Sequence, residues 1–364
     1  MSQLQYYLAI VAWGFAAAAL GFGLASGVEM PVWMLVFTAL GTLSIVRFWV
    51  PFGVWLDAGL CGFGALSVLV GVAIFDPVPA YYWLALLSAW LFAWLFIERL
   101  AGAIAAGTVD GRVFGLLIPL IFGVSILVIW EAVTRGANVP SVILPPPSAI
   151  WARIVASTAT LWADFQQTFL KAVLIGYCLG CGLGFAVAIL IDRSPFLKRG
   201  LLPLGNFVSA LPIIGVAPIM VMWFGFDWPS KAAVVVIMTF FPMLVNTVAG
   251  LNAASAMERD LMATYAAGYW QTLMKLRLPA AAPFIFNALK INSTLALIGA
   301  IVAEFFGTPI VGMGFRISTE VGRMNVDMVW AEIAVAALAG SVFYGVVVVI
   351  ERAVTFWHPS VRGA

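Results

Sequence analysis

Charged side chains are scarce in this sequence: Asp, Glu, Lys and Arg make up 9% of 364 residues, against 64% hydrophobic ones, and the mean hydropathy is +1.09. No soluble domain hides that much apolar surface, so the solvent for most of this chain is lipid, where helices satisfy their own backbone groups. There is one histidine, His358, which excludes His-based metal clusters and Ser/His or Cys/His catalytic pairs within the apolar segments. The three cysteines, Cys61, Cys178 and Cys181, all fall inside apolar segments and read as packing residues with no redox role. A net charge of +2 and the lack of any Lys/Arg run exclude nucleic acid as a partner. Nowhere does a Gly-rich loop end in Gly-Lys-Ser or Gly-Lys-Thr, so the chain has no phosphate cradle and no ATP site of its own. No metal site, bound cofactor or enzyme active site is expected. No basic stretch precedes the first apolar run after Gln5, which is expected to be a retained span and not a cleaved leader.

About 20 apolar residues cross the hydrocarbon core, and cutting the chain at its Pro, Gly and charge clusters yields ten such runs. They lie near 5–27, 31–50, 53–75, 79–98, 113–134, 166–191, 201–225, 230–251, 282–306 and 328–350. The fold class is therefore an all-α polytopic membrane protein of about ten transmembrane helices. With the N-terminus inside, the inner loops hold eleven of the 18 basic residues: Arg47, Arg99, Arg112, Arg193, Lys198, Arg199, Arg259, Lys275, Arg277, Arg352 and Arg362. The outer side holds six, Arg135, Arg153, Lys171, Lys231, Arg316 and Arg323, and Lys290 falls within a span. That bias supports cytoplasmic N- and C-termini. The Gly/Ala-rich stretch 100–112 reads as a cytoplasmic linker between a four-helix block, 1–99, and a six-helix block, 113–364. The outer stretch 137–165 contains Leu144-Pro145-Pro146-Pro147-Ser148, whose prolines fix an extended backbone suited to a stiff connector or to a docking element on the membrane surface.

One inner loop has a helical pattern. In Glu258–Pro283, Leu261, Tyr265, Tyr269 and Leu273 recur every four residues, Arg259, Lys275 and Arg277 add charge, and Pro279 is expected to stop the helix. An amphipathic helix outside the spans needs a cover for its apolar face, either the membrane interface or a partner protein. Within the spans, polar groups are costly and mark pathways. Asn287 and Lys290 share a helix face, Thr294 lies four residues beyond Lys290, and Glu304 sits near the far end of the same span. The alternative is that Lys290 snorkels or pairs with a neighbouring carbonyl for assembly, and that Glu304 makes a structural contact. Pro212 and Pro218 break the span 201–225, whose freed backbone groups must face protein or a water-filled cavity, a suitable wall for a translocation path. Gly176, Gly180 and Gly184, at four-residue intervals, let another helix approach and read as packing positions. Asp57, the acid in the third span, either pairs across helices or sits in a hydrated vestibule.

The loop 258–280 resembles the coupling motif of bacterial ABC-importer permeases, written E-A-A, three residues, G, nine residues, I, one residue, L-P. Asp260, Leu261 and Met262 stand at E-A-A, Ala266 at the Gly, Leu276 at the Ile, and Leu278-Pro279 at the terminal pair. The spacing fits throughout, while Glu has become Asp, the two Ala have become Leu and Met, and Gly has become Ala. From Val113 onward the chain is similar to the permeases serving nitrate, sulfonate, taurine and pyrimidine-type precursors. The similar segments are the Leu144–Ser148 stretch, Leu211-Pro212-Ile213-Ile214-Gly215-Val216-Ala217-Pro218, Trp223-Phe224-Gly225, Phe241-Pro242, Ala303-Glu304 and Gly312-Met313-Gly314. The terminal Phe356-Trp357-His358-Pro359-Ser360-Val361-Arg362 looks most like the pyrimidine-precursor branch. The resemblance implies a six-helix type I permease core, paired with a second copy or a sister permease in the bacterial inner membrane. It also implies two cytoplasmic ATPase subunits that use ATP and Mg, and a periplasmic or lipid-anchored binding protein that delivers a small polar or anionic solute. The first four spans fall outside the resemblance.

Two other classes compete. An ion-coupled secondary transporter would use Asp57, Lys290, Glu304 or Glu332 and suits ten spans with broken helices, but no inverted repeat is visible. A membrane scaffold suits the first four spans better than the rest.

Overall fold

The computed structural model describes residues 1–27, 29–50, 52–194, 196–197, 199–201, 203, 212–307 and 310–357, and regular structure among them is helical throughout. Lys198, Leu211 and the terminal 358–364, with His358, lie outside the described residues. The chain divides into two compact units, Met1–Ala152 and Arg153–Ala364.

The first unit holds α1 (Gln3–Ala25), α2 (Val32–Leu43, extended by a 3-10 turn, Ser44–Phe48), α3 (Val54–Ile74), α4 (Ala80–Ala105) and α5 (Leu117–Gly136). Ser2 caps α1 through a reciprocal pair with Gln5, and the helix buries Ala9, Ala12, Ala16, Ala19 and Gly23 along one stripe. Lipid supplies no hydrophobic drive between helices, so small residues that let backbones meet do the packing. Ser88 Oγ of α4 accordingly reaches the Ala12 carbonyl at 2.9 Å. Phe37, Tyr81, Tyr82 and Phe92 fill the centre. Asp57, in the first turn of α3, is fully buried and clasped by Arg47 Nη1 at 2.8 Å and by Arg99. Pairing across helices is thus the outcome for this acid. α5 packs on α3 and α4, so by contact it groups with the four helices before it, whereas the expected division at 100–112 falls inside this unit.

In the second unit α7 (Thr158–Phe165), a π-helical turn (Gln166–Val173) and α8 (Leu174–Arg193) follow one another, after α6 (Pro147–Ala156) has bridged the boundary. Then come α9 (Ile213–Phe224), α10 (Trp228–Leu251), α11 (Ala256–Thr264), α12 (Leu278–Glu304), α13 (Met313–Gly322) and α14 (Val326–Val354). α10 is central, packed on α8 and α12. The contact with α8 runs over the glycine stripe: a Cβ on Gly176 would lie 2.6 Å from Val235 Cβ, and one on Gly184 2.5 Å from the Phe240 carbonyl.

Each of the ten expected runs contains helix, but among the described residues only eight helical stretches are long and apolar enough to span; Val32–Phe48 and Ile213–Phe224 are shorter. Within the run expected at 201–225, Pro212 is extended and opens a rod of 12 residues, Ile213–Phe224. At 1.5 Å per residue this is ~18 Å, short of the ~30 Å hydrocarbon core.

Candidate functional site

Between α10 and α12 the chain leaves the bundle. Ser255 caps α11: its Oγ accepts from the Glu258 N–H at 3.2 Å, and Glu258 returns by accepting from the Ser255 N–H at 2.8 Å, which holds the Glu258 carboxyl below its usual range. No residue of α11 is buried, and Met257 and Leu261 face outward at 81% and 56% exposure. Asp260 is exposed and Met262 half-buried. The helix does not continue to Pro279 as its periodicity suggested. It ends in a Schellman turn, with Ala266 N–H on the Ala263 carbonyl at 2.9 Å, Ala267 N–H on the Met262 carbonyl at 3.0 Å, and Ala266 at φ +52°. Ala266 thus occupies the left-handed position where glycine is ordinarily required, so the small residue there answers to backbone conformation.

The second arm starts afresh at Gly268, whose N–H is taken by Gln271 Oε1 at 3.1 Å. It passes through Tyr269–Thr272 and a π-helical turn, Leu273–Arg277, directly into α12. Pro279, expected as a stop, sits instead inside the first turn of α12. Leu278 N–H still bonds five residues back to Leu273, and the proline follows where it has no N–H to place, so the change of pitch loses nothing. Leu276, Leu278 and Pro279 are half-buried. Leu273 is buried with Leu251 and Ala281, and Arg277 grips Asp192 at the end of α8 through two bonds of 2.7 Å. The exposed first arm and the embedded second arm give this loop one free face and one fixed root.

At the opposite end of α12, Glu304 is 2% exposed and accepts from Thr168 Oγ1 and the Gly314 N–H, both at 2.7 Å. Thr168 Oγ1 in turn accepts from Met313 N–H at 2.8 Å, and Asp164 accepts from Gly312 N–H at 2.6 Å and Arg316 Nε at 2.8 Å. Two acids and a hydroxyl thus receive the unpaired amides at the start of α13. Gly312, at φ +142°, has Glu304 Oε1 2.7 Å from where a Cβ would be. Lys231 of α10 is 1% exposed and donates to the Phe226 carbonyl at 2.6 Å and to that of Gly307. Asp227 caps α10 and takes a bond from Gln167 Nε2 at 2.7 Å; the Trp228 N–H and then that amide hold its carboxyl below the usual range. Glu332 of α14 is fully buried.

The intramembrane polar residues singled out from sequence do not converge. Lys290 forms an ion pair of 2.8 Å with Glu351 of α14. Asn287 and Thr294 lie on the outward face of α12 with Phe284, Ile291 and Ile298, and Thr294 borders an apolar groove of about 610 Å³. Pro212 opens α9 and Pro218 lies inside it, half-buried. Sequence reasoning passed over Asp164, Thr168, Asp192 and Arg316; their partners lie 77 to 152 residues away, beyond any local pattern.

Residues 176–356 match the family described as "Binding-protein-dependent transport system inner membrane component". A probable ABC transporter permease of Haemophilus influenzae is 32% identical over 60% of this chain and 89% of its own length. A formylaminopyrimidine transport permease of Halalkalibacterium halodurans is 30% identical over 68% and 98%, and a putative aliphatic sulfonates transport permease of Bacillus subtilis is 29% identical over 70% and 90%. About a third of this chain therefore has no counterpart in these relatives. Its α-helical spans, its exposed loop and these matches place the chain in the family of multi-pass inner-membrane permeases of binding-protein-dependent ABC importers.

Proposed function

We propose that the loop 256–277 is the seat of a separate cytoplasmic ATPase, present in two copies per complex, which uses ATP and Mg on behalf of this chain. The observation that carries the proposal is α11 itself: a capped, ordered helix outside the bundle that buries nothing and shows Met257 and Leu261, followed by outward Tyr265 and Trp270. An amphipathic helix in a partner's groove is the recognition mode that fits. Asp260, Leu261, Met262 and Ala266 form the docking arm, and Leu276, Leu278 and Pro279 root it in α12. This places the loop and both termini in the cytoplasm, in keeping with the distribution of Lys and Arg.

The core pairs with a second permease, and a periplasmic or lipid-anchored binding protein delivers the solute. Asn287 and Thr294, polar groups on an otherwise apolar outward face, then line the path, with Pro212 and Pro218 in its wall, while Lys290 and Glu304 serve assembly. The formylaminopyrimidine and sulfonate relatives support a small polar or anionic solute. Purifying the tagged chain in mild detergent tests the reading: an ATPase and a soluble binding protein should co-purify, and Met257→Asp with Leu261→Asp should release the ATPase at unchanged chain yield. A chain that purifies alone, or an ATPase indifferent to both substitutions, refutes it.

A further inference from the structure

We infer that the Asp192–Arg277 ion pair is the strut through which movement of the loop enters the helix bundle, which makes Asp192 a positioning residue for energy coupling. The inference rests on the proposed docking of an ATPase at α11. Arg277 joins three elements at once. Its two terminal nitrogens take both oxygens of Asp192 on α8, each at 2.7 Å, and its Nε donates to the carbonyl of Leu251, the last residue of α10, at 2.9 Å. Arg277 itself sits at the threshold of α12. A bidentate guanidinium–carboxylate fork fixes orientation as well as distance, which a single contact cannot do. The side chains are 12% and 7% exposed, so water screens the pair little.

The pair is braced from the loop side. Tyr269 donates its hydroxyl to Asp192 at 3.0 Å, and the neighbouring Arg193 lies over the rings of Tyr269 and Trp270 at 5.4 and 6.0 Å. A push on the exposed Trp270 or on α11 therefore meets α8 through Tyr269 and Arg193, and meets α10 and α12 through Arg277. Between these points lies the π-helical turn Leu273–Arg277, a segment whose pitch already departs from that of the α-helix on either side, as such turns often do at functional sites. A loop anchored only by apolar contacts could slide; this one is keyed.

The test uses the assembled complex and hydrogen exchange by mass spectrometry, with ATP, Mg and vanadate as the probe, so no transported solute is needed. In the wild type, adding the nucleotide should change exchange in 256–267 and also in the adjoining turns of α8, α10 and α12. In Asp192→Asn the response of 256–267 should persist while that of the helix turns falls about tenfold, within the range that site-to-site couplings span. Arg277→Lys, which keeps the charge and loses the fork, and Tyr269→Phe, which loses one bond, should give smaller losses of the same kind. A purely structural pair would shift thermal stability without separating the two responses. Full propagation in Asp192→Asn overturns the inference; where that variant fails to assemble, full propagation in both Arg277→Lys and Tyr269→Phe overturns it equally. A wild-type complex in which 256–267 is indifferent to the ATPase defeats the docking reading and this inference with it, a result distinct from lost propagation in a variant.

Discussion

Replacing Ala266 by glycine removes a single methyl group from an exposed loop, yet the geometry predicts a measurable gain. Ala266 is the left-handed residue of the turn that closes α11, at φ +52°, and has no packing to lose there. An L-residue in that conformation costs ~1–2 kcal/mol, while glycine gives back roughly 0.5–1 kcal/mol through the greater freedom of the unfolded chain. The net stabilisation of the turn is about 1 kcal/mol, or about fivefold in its opening equilibrium. Hydrogen exchange of the purified chain reads this directly at the two amides that close the turn, Ala266 and Ala267, which should exchange about fivefold more slowly in Ala266→Gly. Ala266→Asn, larger but tolerant of the left-handed region, should preserve protection, whereas Ala266→Val should lose it. Were Gly to speed exchange and Val to slow it, the backbone account of this position would be wrong. Docking supplies a second axis: Asn adds bulk at the proposed interface, so weaker ATPase binding by Ala266→Asn with an intact turn would separate size from conformation.

Asp57→Asn leaves the buried Arg47 and the half-buried Arg99 without their shared counter-charge and should cost about 3–5 kcal/mol, read as an earlier thermal unfolding of the detergent-purified protein; an unchanged melting curve refutes it. Lys290→Met and Glu351→Leu should each destabilise, and the double substitution less than their sum, because each single change strands the other charge; strict additivity would show that the pair does not interact. Gly314→Ala should detach the start of α13, since its Cβ would collide with the Ile301 carbonyl, and limited proteolysis should then cut near 305–314; continued resistance there counts against the acid-capped turn.

What sequence conveyed best was whatever lipid imposes locally. A run of about 20 apolar residues must be a helix because the hydrocarbon core leaves backbone groups no other partner. That is why each of the ten expected runs contains helix among the described residues, and why the loop 256–277, with its charges, stands apart. The misreadings came where two local rules conflicted. Leu261, Tyr265, Tyr269 and Leu273 keep a four-residue rhythm across a break, because α11 and the arm after Gly268 each need an apolar side. The informative signal was the alanine at the family's glycine position followed closely by Gly268. By local pattern Pro279 reads as a terminator, although a proline is equally at home in a first turn, and the π-helical turn before it leaves no mark on the periodicity.

The buried charges mark the deeper boundary. Sequence states that an ionised group inside a span is costly and must have a reason, but not whether that reason is a path or a partner. In this protein Lys290 meets Glu351, Asp57 meets Arg47 and Arg99, and Glu304 receives Thr168 and the Gly314 amide of α13. Each partner stands on another helix, at a separation fixed by how closely the helices pack. On α8 that closeness depends on Gly176 and Gly184, whose missing side chains admit α10. The glycines were legible as packing positions, and the charges as costly; the link between them is geometric. Only when the small residues have set the spacing does a carboxylate such as Asp192, ordinary in sequence at the end of a span, come within 2.7 Å of the arginine that roots the loop.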